Sequence, residues 1–542
     1  MQQRLFLPIL VLTANSILLR LNLAYCFTPV QLGTLKPHPY NARYSMGLSV
    51  SNQKTETSEV KPEEVVVKDD GDGKKKKELS PWKKVVREFE KQVLDPAYIA
   101  PPIRSSIIEA AAQYVKAAGS DGEYLLPGTH KHLGGAYDPT DGSIYGVPAN
   151  SRAVLCLHPE TNVDGEIFYK MKAIALPERV RDTKMKWLRG IFAHGCLWAM
   201  PAWADSVLCV DIDAYHGRRP ANGDIVQLLP LPAEHPKGMV WQWHGGALNK
   251  DKTAIYCVPS NAKSVLKVDL QTKKTSLIQI EFDVEKYPTF EIDLSNKFYG
   301  AIFGEGDGCI YGVPYRSCAV LRIDCENDSA ELVGPDYGAA GYNWHGGIQA
   351  NGKIYAHPSH ADDTVLVINT NADCPRDKIC EELQIKRAEY DQDPRKNYKW
   401  LGGAFGADGH IYCPACDTSS ILKIDTETEE CTTFGFAGKL KNKWQGGLLS
   451  PRDECIYCIP ADGHHILRIA TSAGIEGENP IQLLGDIPHH KDKWQGGSVG
   501  KDGCLYFVPE NGYRVMKVTP PLAPPKIVDG KLPVDDVVVE MM

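Results

Sequence analysis

Three stretches of the chain share one pattern: residues 442–472 read NKWQGGLLSPRDECIYCIPADGHHILRIATS, residues 492–520 read DKWQGGSVGKDGCLYFVPENGYRVMKVTP, and residues 398–428 read YKWLGGAFGADGHIYCPACDTSSILKIDTET. The shared frame is a tryptophan, a variable residue, two glycines, a turn, an Ile/Leu-Tyr pair, a proline and a Leu/Met-x-Ile/Val segment. Such regular self-similarity predicts a repeat architecture rather than several unrelated domains.

The frame recurs eight times at a spacing of roughly fifty residues, which is typical of propeller blades. Its prolines are Pro148, Pro201, Pro259, Pro314, Pro358, Pro414, Pro460 and Pro509. Its leading aromatic residues are Trp187, Trp243, Trp344, Trp400, Trp444 and Trp494, with Phe298 and His132 at the equivalent places. Side chains of this size predict wedges between neighbouring blades.

Within each unit the apolar residues recur with a period of two, which indicates β-strands. A charged residue often occupies the middle of the third strand, as at Lys267, Arg322, Lys423, Arg468 and Lys517, and we expect this face of the strand to be solvated. Asp-Gly pairs at Asp141, Asp307, Asp408 and Asp502 predict tight hairpins between the first two strands. The sequence therefore predicts an all-β fold, an eight-bladed β-propeller of four-stranded antiparallel blades.

The strand pattern over residues 130–519 resembles the repeats of NHL-type and gluconolactonase-type propellers. The resemblance implies the fold, since propellers host hydrolases, oxidases and scaffolds alike. Gluconolactonase-type propellers bind a divalent cation through Glu, Asn and Asp on inner strands, and no such set stands at the Gly-Gly positions here. The Trp-x-Gly-Gly and Tyr-x-x-Pro elements place this chain in a separate propeller family.

The N-terminal region has the features of a targeting leader. Residues 1–26 form an expected signal peptide, because Arg4 precedes an apolar run and Ala24 and Cys26 suit a cleavage site. Residues 27–53 form a transit-like segment that begins with Phe27. The combination resembles the two-part plastid leader of diatoms and related algae. We expect delivery to a plastid by the secretory route, with secretion as the alternative.

The remaining boundaries follow from composition. Residues 54–80 are highly charged and predict a disordered linker, and residues 81–119 predict a helical extension. The propeller is expected over residues 123–530, with a C-terminal tail over 531–542. The segment from Glu123 to Gly128 resembles the fourth-strand segments, so we expect it to supply the outer strand of the last blade.

Composition excludes several functions. A net charge of −8 and a pI near 6.1 give no electrostatic footprint for nucleic acid. The mature chain has no apolar stretch long enough for a stable membrane span. The pair Cys455/Cys458 lies in a strand, where residues three apart cannot chelate one ion, whereas Cys413/Cys416 straddles a strand end and remains a possible thiol pair. We expect no metal site and no cofactor, and no motif nominates a catalytic residue.

The candidate site lies where the loops after the recurring proline meet the loops that lead into the next first strand. The first set offers Asn150, Trp203, Asn261, Arg316, His360, Asp417, Asp462 and Asn511, and the second ends at Leu188, His244, Tyr299, His345, Leu401, Gln445 and Gln495. These residues vary while the frame repeats, as in a binding face on a rigid scaffold. We expect His244 and His345 to lie about a quarter-turn apart at a solvated channel mouth.

Two functions remain open from the sequence. The first is a rigid scaffold that binds a protein partner or a small polar ligand through this face and the channel mouth. The second is a propeller enzyme, of a hydrolase, lactonase or isomerase type, with a polar and possibly metal-bearing central site.

Overall fold

The structure is a computed structural model, and it describes residues 129–542 apart from residues 339–340, 389–397, 473–479, 486, 528–531 and 533–536. The predicted leader, linker and helical extension lie outside the described residues and remain predictions. Within the described residues the chain forms eight antiparallel blades of four consecutive strands, and the first strands of the blades adjoin one another around the axis. The predicted eight-bladed β-propeller is confirmed.

The strands of the first four blades follow the chain in order. Blade 1 comprises β1 (His132–Tyr137), β2 (Ile144–Pro148), β3 (Ala153–Thr161) and β4 (Ile167–Ala175); blade 2, β5 (Trp187–Ala193), β6 (Cys196–Pro201), β7 (Ser206–Asp211) and β8 (Val226–Pro230); blade 3, β9 (Trp243–Leu248), β10 (Ala254–Pro259), β11 (Val265–Asp269) and β12 (Lys274–Ile278); blade 4, β14 (Phe298–Phe303), β15 (Ile310–Pro314), β16 (Val320–Asp324) and β17 (Ser329–Val333), with β13 (Ile280–Glu281) parallel to β17 at its rim.

The other four blades repeat this order. Blade 5 comprises β18 (Trp344–Ala350), β19 (Lys353–Pro358), β20 (Thr364–Asn369) and β21 (Cys380–Lys386); blade 6, β22 (Ala404–Phe405), β23 (Ile411–Cys413), β24 (Ile421–Ile424) and β25 (Cys431–Phe434); blade 7, β26 (Trp444–Leu449), β27 (Cys455–Pro460), β28 (Ile466–Ala470) and β29 (Ile481–Leu484); blade 8, β30 (Trp494–Val499), β31 (Leu505–Pro509), β32 (Met516–Thr519) and β33 (Val538–Met541). Blades 5 and 6 also join through parallel pairing of β21 with β25.

Two short helices interrupt the described part of the chain. Helix α1 (Glu178–Arg181) precedes blade 2, and helix α2 (Ile212–Tyr215) lies between the third and fourth strands of that blade. Among the described residues, no helix is long and apolar enough to cross a membrane.

The hydrophobic core is divided into layers between blades. Each large cluster of buried residues combines two neighbouring blades; one joins Tyr457 of blade 7 to Leu505 of blade 8, and another joins Leu155 of blade 1 to Tyr506 of blade 8. Every wedge aromatic is buried and lies opposite the recurring proline of its own blade, except that Trp400 pairs with Ala415 rather than Pro414. The predicted wedge role agrees with this placement.

Each wedge tryptophan is also anchored by its indole N–H. Trp444 Nε1 donates to the carbonyl oxygen of His465 at 2.8 Å, and Trp494 Nε1 donates to that of Arg514 at 2.9 Å. The bond joins the start of the first strand to the start of the third strand of the same blade. A buried indole N–H requires such an acceptor.

A lysine before the wedge forms a second anchor, which points to the preceding blade. Lys443 Nζ donates to the carbonyl oxygens of Cys416 at 2.9 Å, Thr418 at 2.7 Å and Leu440 at 2.7 Å. Lys493 Nζ does the same with Ala461 at 2.7 Å and His490 at 3.1 Å. Lys-Trp is thus one structural unit, with the lysine binding one blade and the indole binding the next.

At the other end of the blades, away from the wedge residues and their lysines, the charged residues of the third strands form a repeated bridge. We had expected a solvated surface there. In blade 7, Asp453 Oδ2 accepts from the Tyr457 hydroxyl and from Arg468 Nη2, both at 2.7 Å, and the Arg468 side chain is fully buried. Three other blades contain the same bridge: Asp307–Tyr311–Arg322, Asp408–Tyr412–Lys423 and Asp502–Tyr506–Lys517. We call this the Asp–Tyr–cation bridge.

The ring closes without the strand that the sequence predicted. The fourth strand of blade 8 is β33, so residues 538–541 belong to the propeller rather than to a tail. Glu123 to Gly128, predicted for this position from the sequence, lie outside the described residues. Blades 8 and 1 meet through backbone contacts: Lys131 N–H donates to the Glu510 carbonyl at 3.0 Å, and His130 N–H donates to Asn511 Oδ1 at 2.6 Å.

Trp444→Ala should lower the free energy of unfolding by about 3–5 kcal/mol, because a buried wedge between two blades is lost. Chemical denaturation of the two proteins measures the difference. Val163→Ala is the control, since Val163 is fully exposed at a hairpin turn and its loss should change stability by under about 0.5 kcal/mol. Equal stability of Trp444→Ala and the unaltered protein would contradict the wedge role.

Lys443→Met should destabilise the fold by roughly 1–3 kcal/mol, because the variant keeps the aliphatic stem but removes the donor from three carbonyl oxygens. Lys441→Met, two residues earlier and exposed, is the matched control and should have little effect. Thermal melts of both variants compare them directly. Identical melting temperatures would show that the inter-blade lysine adds no stability.

Candidate functional site

The predicted meeting of two loop sets is found on one face of the ring, which we call the top face. The loop after the second strand bonds the segment leading into its own first strand, as Asn261 N–H does with the carbonyl oxygen of Trp241 at 3.0 Å. The lead-in segment of the next blade lies beside them, since Asn261 Oδ1 accepts from Asn296 N–H at 2.8 Å.

Five of the eight loop residues are used to join blades. Their side-chain oxygens accept the backbone N–H two residues before the wedge of the next blade. The pairs are Asn150 with Met185, Asn261 with Asn296, Asp417 with Asn442, Asp462 with Asp492 and Asn511 with His130, at 2.6–2.8 Å. All five donors have φ between 49° and 58°. Asn261, Asp462 and Asn511, which the sequence nominated as ligand-binding, therefore have structural partners.

The other three loop residues form a different kind of joint. Trp203 contacts Trp241 edge-to-face with ring centroids 5.9 Å apart, His360 contacts Tyr398 likewise at 4.7 Å, and the Arg316 guanidinium lies 5.6 Å from the Tyr342 ring. All six of these residues are half-buried. Between blades 2 and 3, 4 and 5, and 5 and 6, the hydrogen bond from a loop oxygen to the backbone N–H of the next blade is thus replaced by a contact with an aromatic ring.

The residues that follow the wedges are buried, which corrects the expected solvated mouth. His244, Tyr299, His345, Gln445 and Gln495 are each less than 5% exposed. Gln445 Nε2 donates to Asn442 Oδ1 at 2.7 Å, within its own lead-in segment. These five side chains are therefore enclosed by the protein rather than exposed at a solvated mouth.

The side chains of blades 3 to 5 form one aromatic stack. His244 stacks on Tyr299 with centroids 3.8 Å apart, Tyr299 stacks on Tyr315 at 4.1 Å, and Tyr342 follows at 4.7 Å. His345 meets Tyr299 edge-on at 4.8 Å, and its centroid lies 6.0 Å from that of His244. The two histidines belong to blades 3 and 5, a quarter-turn apart as expected, but their rings are neighbours because side chains converge around a narrow axis.

Arg189 is the residue that sequence reasoning missed. The first glycine of the Trp-x-Gly-Gly frame recurs in seven blades with φ between 72° and 105°, and blade 2 has Arg189 there with φ of 57°. The irregular WLRG stretch at residues 187–190 was a readable signal. Arginine at a positive φ costs about 1–2 kcal/mol, and strain of this kind is typical of functional sites.

The Arg189 side chain runs along the neighbouring blade. A Cβ placed on Gly245 would lie 3.5 Å from Arg189 Cδ, an ordinary van der Waals distance, so the arginine side chain lies directly against Gly245. Burial lowers the pKa of His244 and His345 and raises that of Tyr299; the Arg189 charge is a smaller cause that acts to lower all three. Arg189 is half-buried, and it supplies a positive charge to the inner end of the stack.

The buried histidines have free nitrogen atoms. Burial, followed by nearby positive charge, holds the pKa of His244 and His345 well below 6.5, so both rings are neutral at pH 7. Neither ring nitrogen of His244 has a hydrogen-bond partner in another described residue, and neither does His345 Nε2. A neutral imidazole offers one donor and one acceptor, and burying both unsatisfied is unfavourable.

The cysteine pairs show no chemistry of their own. Cys413, Cys416, Cys455 and Cys458 are all buried free thiols. Burial raises the pKa of each well above its usual range, so none is a reactive thiolate.

A second group of side chains lies on the bottom face, away from the stack. Asp141, His158 and His216 bring one potential ligand atom each within 4.8 Å of the others. The sequence gave no sign of it, because His216 comes from blade 2 and the other two residues from blade 1.

No protein-family model matches the chain, and no curated protein matches it. Among solved structures the chain is similar to a streptogramin B lyase (TM-score 0.40, 13% identity, 71% of this chain and 93% of that one). It is also similar to virginiamycin B lyase from Staphylococcus aureus (0.41, 14%, 62% and 94%) and to AztD from Citrobacter koseri (0.40, 11%, 66% and 88%). The assignment as an eight-bladed propeller rests on the sheets themselves.

Asn261→Ala should lower the free energy of unfolding by about 1–2 kcal/mol, because the side chain joins Val240 and Asn296 across two blades. Arg316→Ala, at the same loop position of the next blade, should cost under about 1 kcal/mol, since its cation–π contact is half-exposed. Urea denaturation distinguishes the two. If Arg316→Ala lowers the free energy of unfolding more than Asn261→Ala does, the stronger inter-blade role assigned to Asn261 is wrong.

Proposed function

We propose that this propeller is a rigid binding protein for a small organic anion with a planar ring, held at the channel mouth on the top face. The observation that carries the proposal is Arg189, the one side chain among eight positions that are otherwise glycine. A strained arginine beside fully buried, unpartnered imidazole nitrogens is expensive for the fold. Its retention is explained by a ligand that uses both.

Each part of the site suits one feature of such a ligand. Arg189 supplies a charge-assisted donor for a carboxylate or a phosphate. The neutral His244 and His345 can each donate or accept one hydrogen bond from a polar substituent. The half-buried Tyr342, Trp203 and Trp241 provide faces for a planar ring.

A small ligand suits this face better than a protein partner does. The exposed large apolar side chains of the top-face loops and lead-in segments are spread over four blades: Val240, Phe282 with Val284, Leu440 and Tyr513. A protein interface requires a contiguous patch with a buried apolar centre. The aromatic joints are instead concentrated between blades 2 and 6, beside Arg189.

Binding also suits the site better than catalysis does. A general acid or base works best with a pKa near the ambient pH. Burial and Arg189 hold the pKa of His244 and His345 well below that range, so these groups bind protons weakly. They are better suited to recognising a ligand than to transferring its protons.

Arg189→Gly should weaken ligand binding without loss of stability. Benzoate, indole-3-carboxylate and inorganic phosphate serve as probes in calorimetric titrations. We expect an aromatic carboxylate to bind the unaltered protein and to bind the variant about 10–100-fold more weakly, which corresponds to one charged hydrogen bond. Because glycine accepts the positive φ, unfolding should require the same free energy or up to about 1 kcal/mol more.

Arg179→Gln is the control, because Arg179 is exposed on helix α1 and its loss removes the same charge from another place. Its binding should be unchanged. A loss of stability in Arg189→Gly with no change in probe binding would assign Arg189 to the fold. Failure of all three probes to bind the unaltered protein would refute the anion proposal.

A further inference from the structure

Blade 1 departs from the Asp–Tyr–cation bridge of its neighbours. Asp141 and Tyr145 have the same spacing as Asp453 and Tyr457, but the residue paired with Tyr145 on the third strand is Cys156. In the four bridged blades this position is Arg or Lys. Asp141 therefore has no cation from its own blade, and the Tyr145 hydroxyl lies 3.0 Å from His216 Nε2 instead of bonding to Asp141.

The Asp141 carboxylate, which is paired with Arg218 of blade 2, also lies beside two imidazoles. Asp141 Oδ2 is 3.8 Å from His158 Nδ1, and the His158 and His216 rings stack with centroids 4.5 Å apart. One oxygen or nitrogen from each of the three side chains lies within 4.8 Å of the others. All three residues are half-buried, so an ion can reach them from solvent.

A helix particular to blade 2 delivers the second histidine. Among the described residues, α2 is the one helix that follows the third strand of a blade. His216 is its C-cap. Asp211 caps its N-terminus by accepting from Ala214 N–H at 2.9 Å. The chain beyond His216 then turns Arg218 toward blade 1.

The charge around the group is negative. Arg218 forms ion pairs with Asp138 at 2.6 Å, Asp141 at 2.5 Å and Asp213 at 2.7 Å. Three carboxylates thus share one guanidinium, and the Asp138 side chain is fully buried. Glu160 on the adjoining strand pairs with Lys172 at 3.6 Å and with Lys170 at 3.7 Å, so four carboxylates and three cations surround the group. The excess negative charge favours a cation.

We propose that Asp141, His158 and His216 bind a divalent transition-metal ion of the Zn²⁺ type. Two imidazole nitrogens and one carboxylate oxygen match the ligands of zinc, whereas Mg²⁺ and Ca²⁺ prefer oxygen alone. Three protein ligands are the number found where zinc keeps one position for water or another ligand. This site is separate from the top-face stack and does not depend on the proposed anion site.

Two hydroxyl groups set the cost and the selectivity of binding. Ser143 Oγ lies 2.9 Å from His158 Nδ1, and Tyr145 OH lies 3.0 Å from His216 Nε2. A metal ion bound at these two nitrogen atoms displaces both hydrogen bonds, and at Asp141 Oδ2 it also replaces Arg218 Nη1, which lies 2.5 Å away, so an ion with strong affinity for imidazole is favoured. The displaced hydroxyls then become partners that orient the ligands or a bound water.

The test is a titration of the purified full chain, kept reduced, with ZnCl₂ by calorimetry. We expect one tight site, and the double variant His158→Ala/His216→Ala should bind at least about 100-fold more weakly, since loss of ligand partners alone costs 10–100-fold. His216→Gln is a milder variant that can retain the Tyr145 contact, and it guards against a folding defect. His464→Ala is the matched control, because His464 also stacks on a histidine, His489, with centroids 3.6 Å apart.

Cobalt titration distinguishes this site from thiols. Co²⁺ bound by two imidazoles and a carboxylate should give visible d–d absorption without the near-ultraviolet band of a cobalt thiolate. The proposal is overturned if the unaltered chain binds no zinc tightly, if the double variant binds as tightly as the unaltered chain while retaining its melting temperature, or if the cobalt spectrum shows sulfur ligation.

Discussion

The junction between neighbouring blades is the interaction on which the rest of the molecule depends. A four-stranded blade has two apolar faces and cannot bury either one alone, so each must be covered by the next blade. The Lys-Trp unit fastens this contact from both sides. The indole fills the gap and bonds its own third strand, while Lys443 bonds two carbonyl oxygens of the preceding blade and one of its own lead-in segment. Repetition of the junction sets the curvature that closes eight blades into a ring, and the last junction, between blades 8 and 1, uses the same backbone contacts as the others.

Because the repeated residues are committed to these junctions, a departure from the repeat is where another function can be placed at the least cost to the fold. Arg189 departs at a position that is glycine in seven blades, and it brings a charge to the axis at the expense of backbone strain. Cys156 departs at a position where five blades have Arg or Lys, and it places Asp141 beside two histidines. Glycine is retained at the Arg189 position in seven blades and the Asp–Tyr–cation bridge is retained in four, so the ring keeps these interactions elsewhere.

The fold was predictable from the sequence because a blade is local: the turn glycines, the period of two and the wedge aromatics all lie within about fifty consecutive residues. The site was less predictable because it is built between blades. His244 and His345 are neighbours only through the narrowness of the ring, and Asn261 and Asp462 vary in sequence but accept the N–H of a positive-φ residue in the next blade. The outer strand of blade 8 was assigned wrongly from the sequence for a related reason. Glu123 to Gly128 resemble a fourth strand in composition, whereas the actual strand β33 lies beyond a long connection at the end of the chain.

Blade 2 unites the departures on the two faces. Its first strand contains Arg189, the loop after its second strand contains Trp203, and helix α2 after its third strand leads to His216 and Arg218. The strands of a blade run between the two faces of the ring, so one blade supplies residues to both sites without contact between them. The wedge Trp187 and the cluster it shares with blade 1 hold the blade on one side, and Trp243 holds it on the other. With a buried wedge on each side, blade 2 places Arg189 against Gly245, which follows His244 of the stack, on one face and His216 beside His158 and Asp141 on the other.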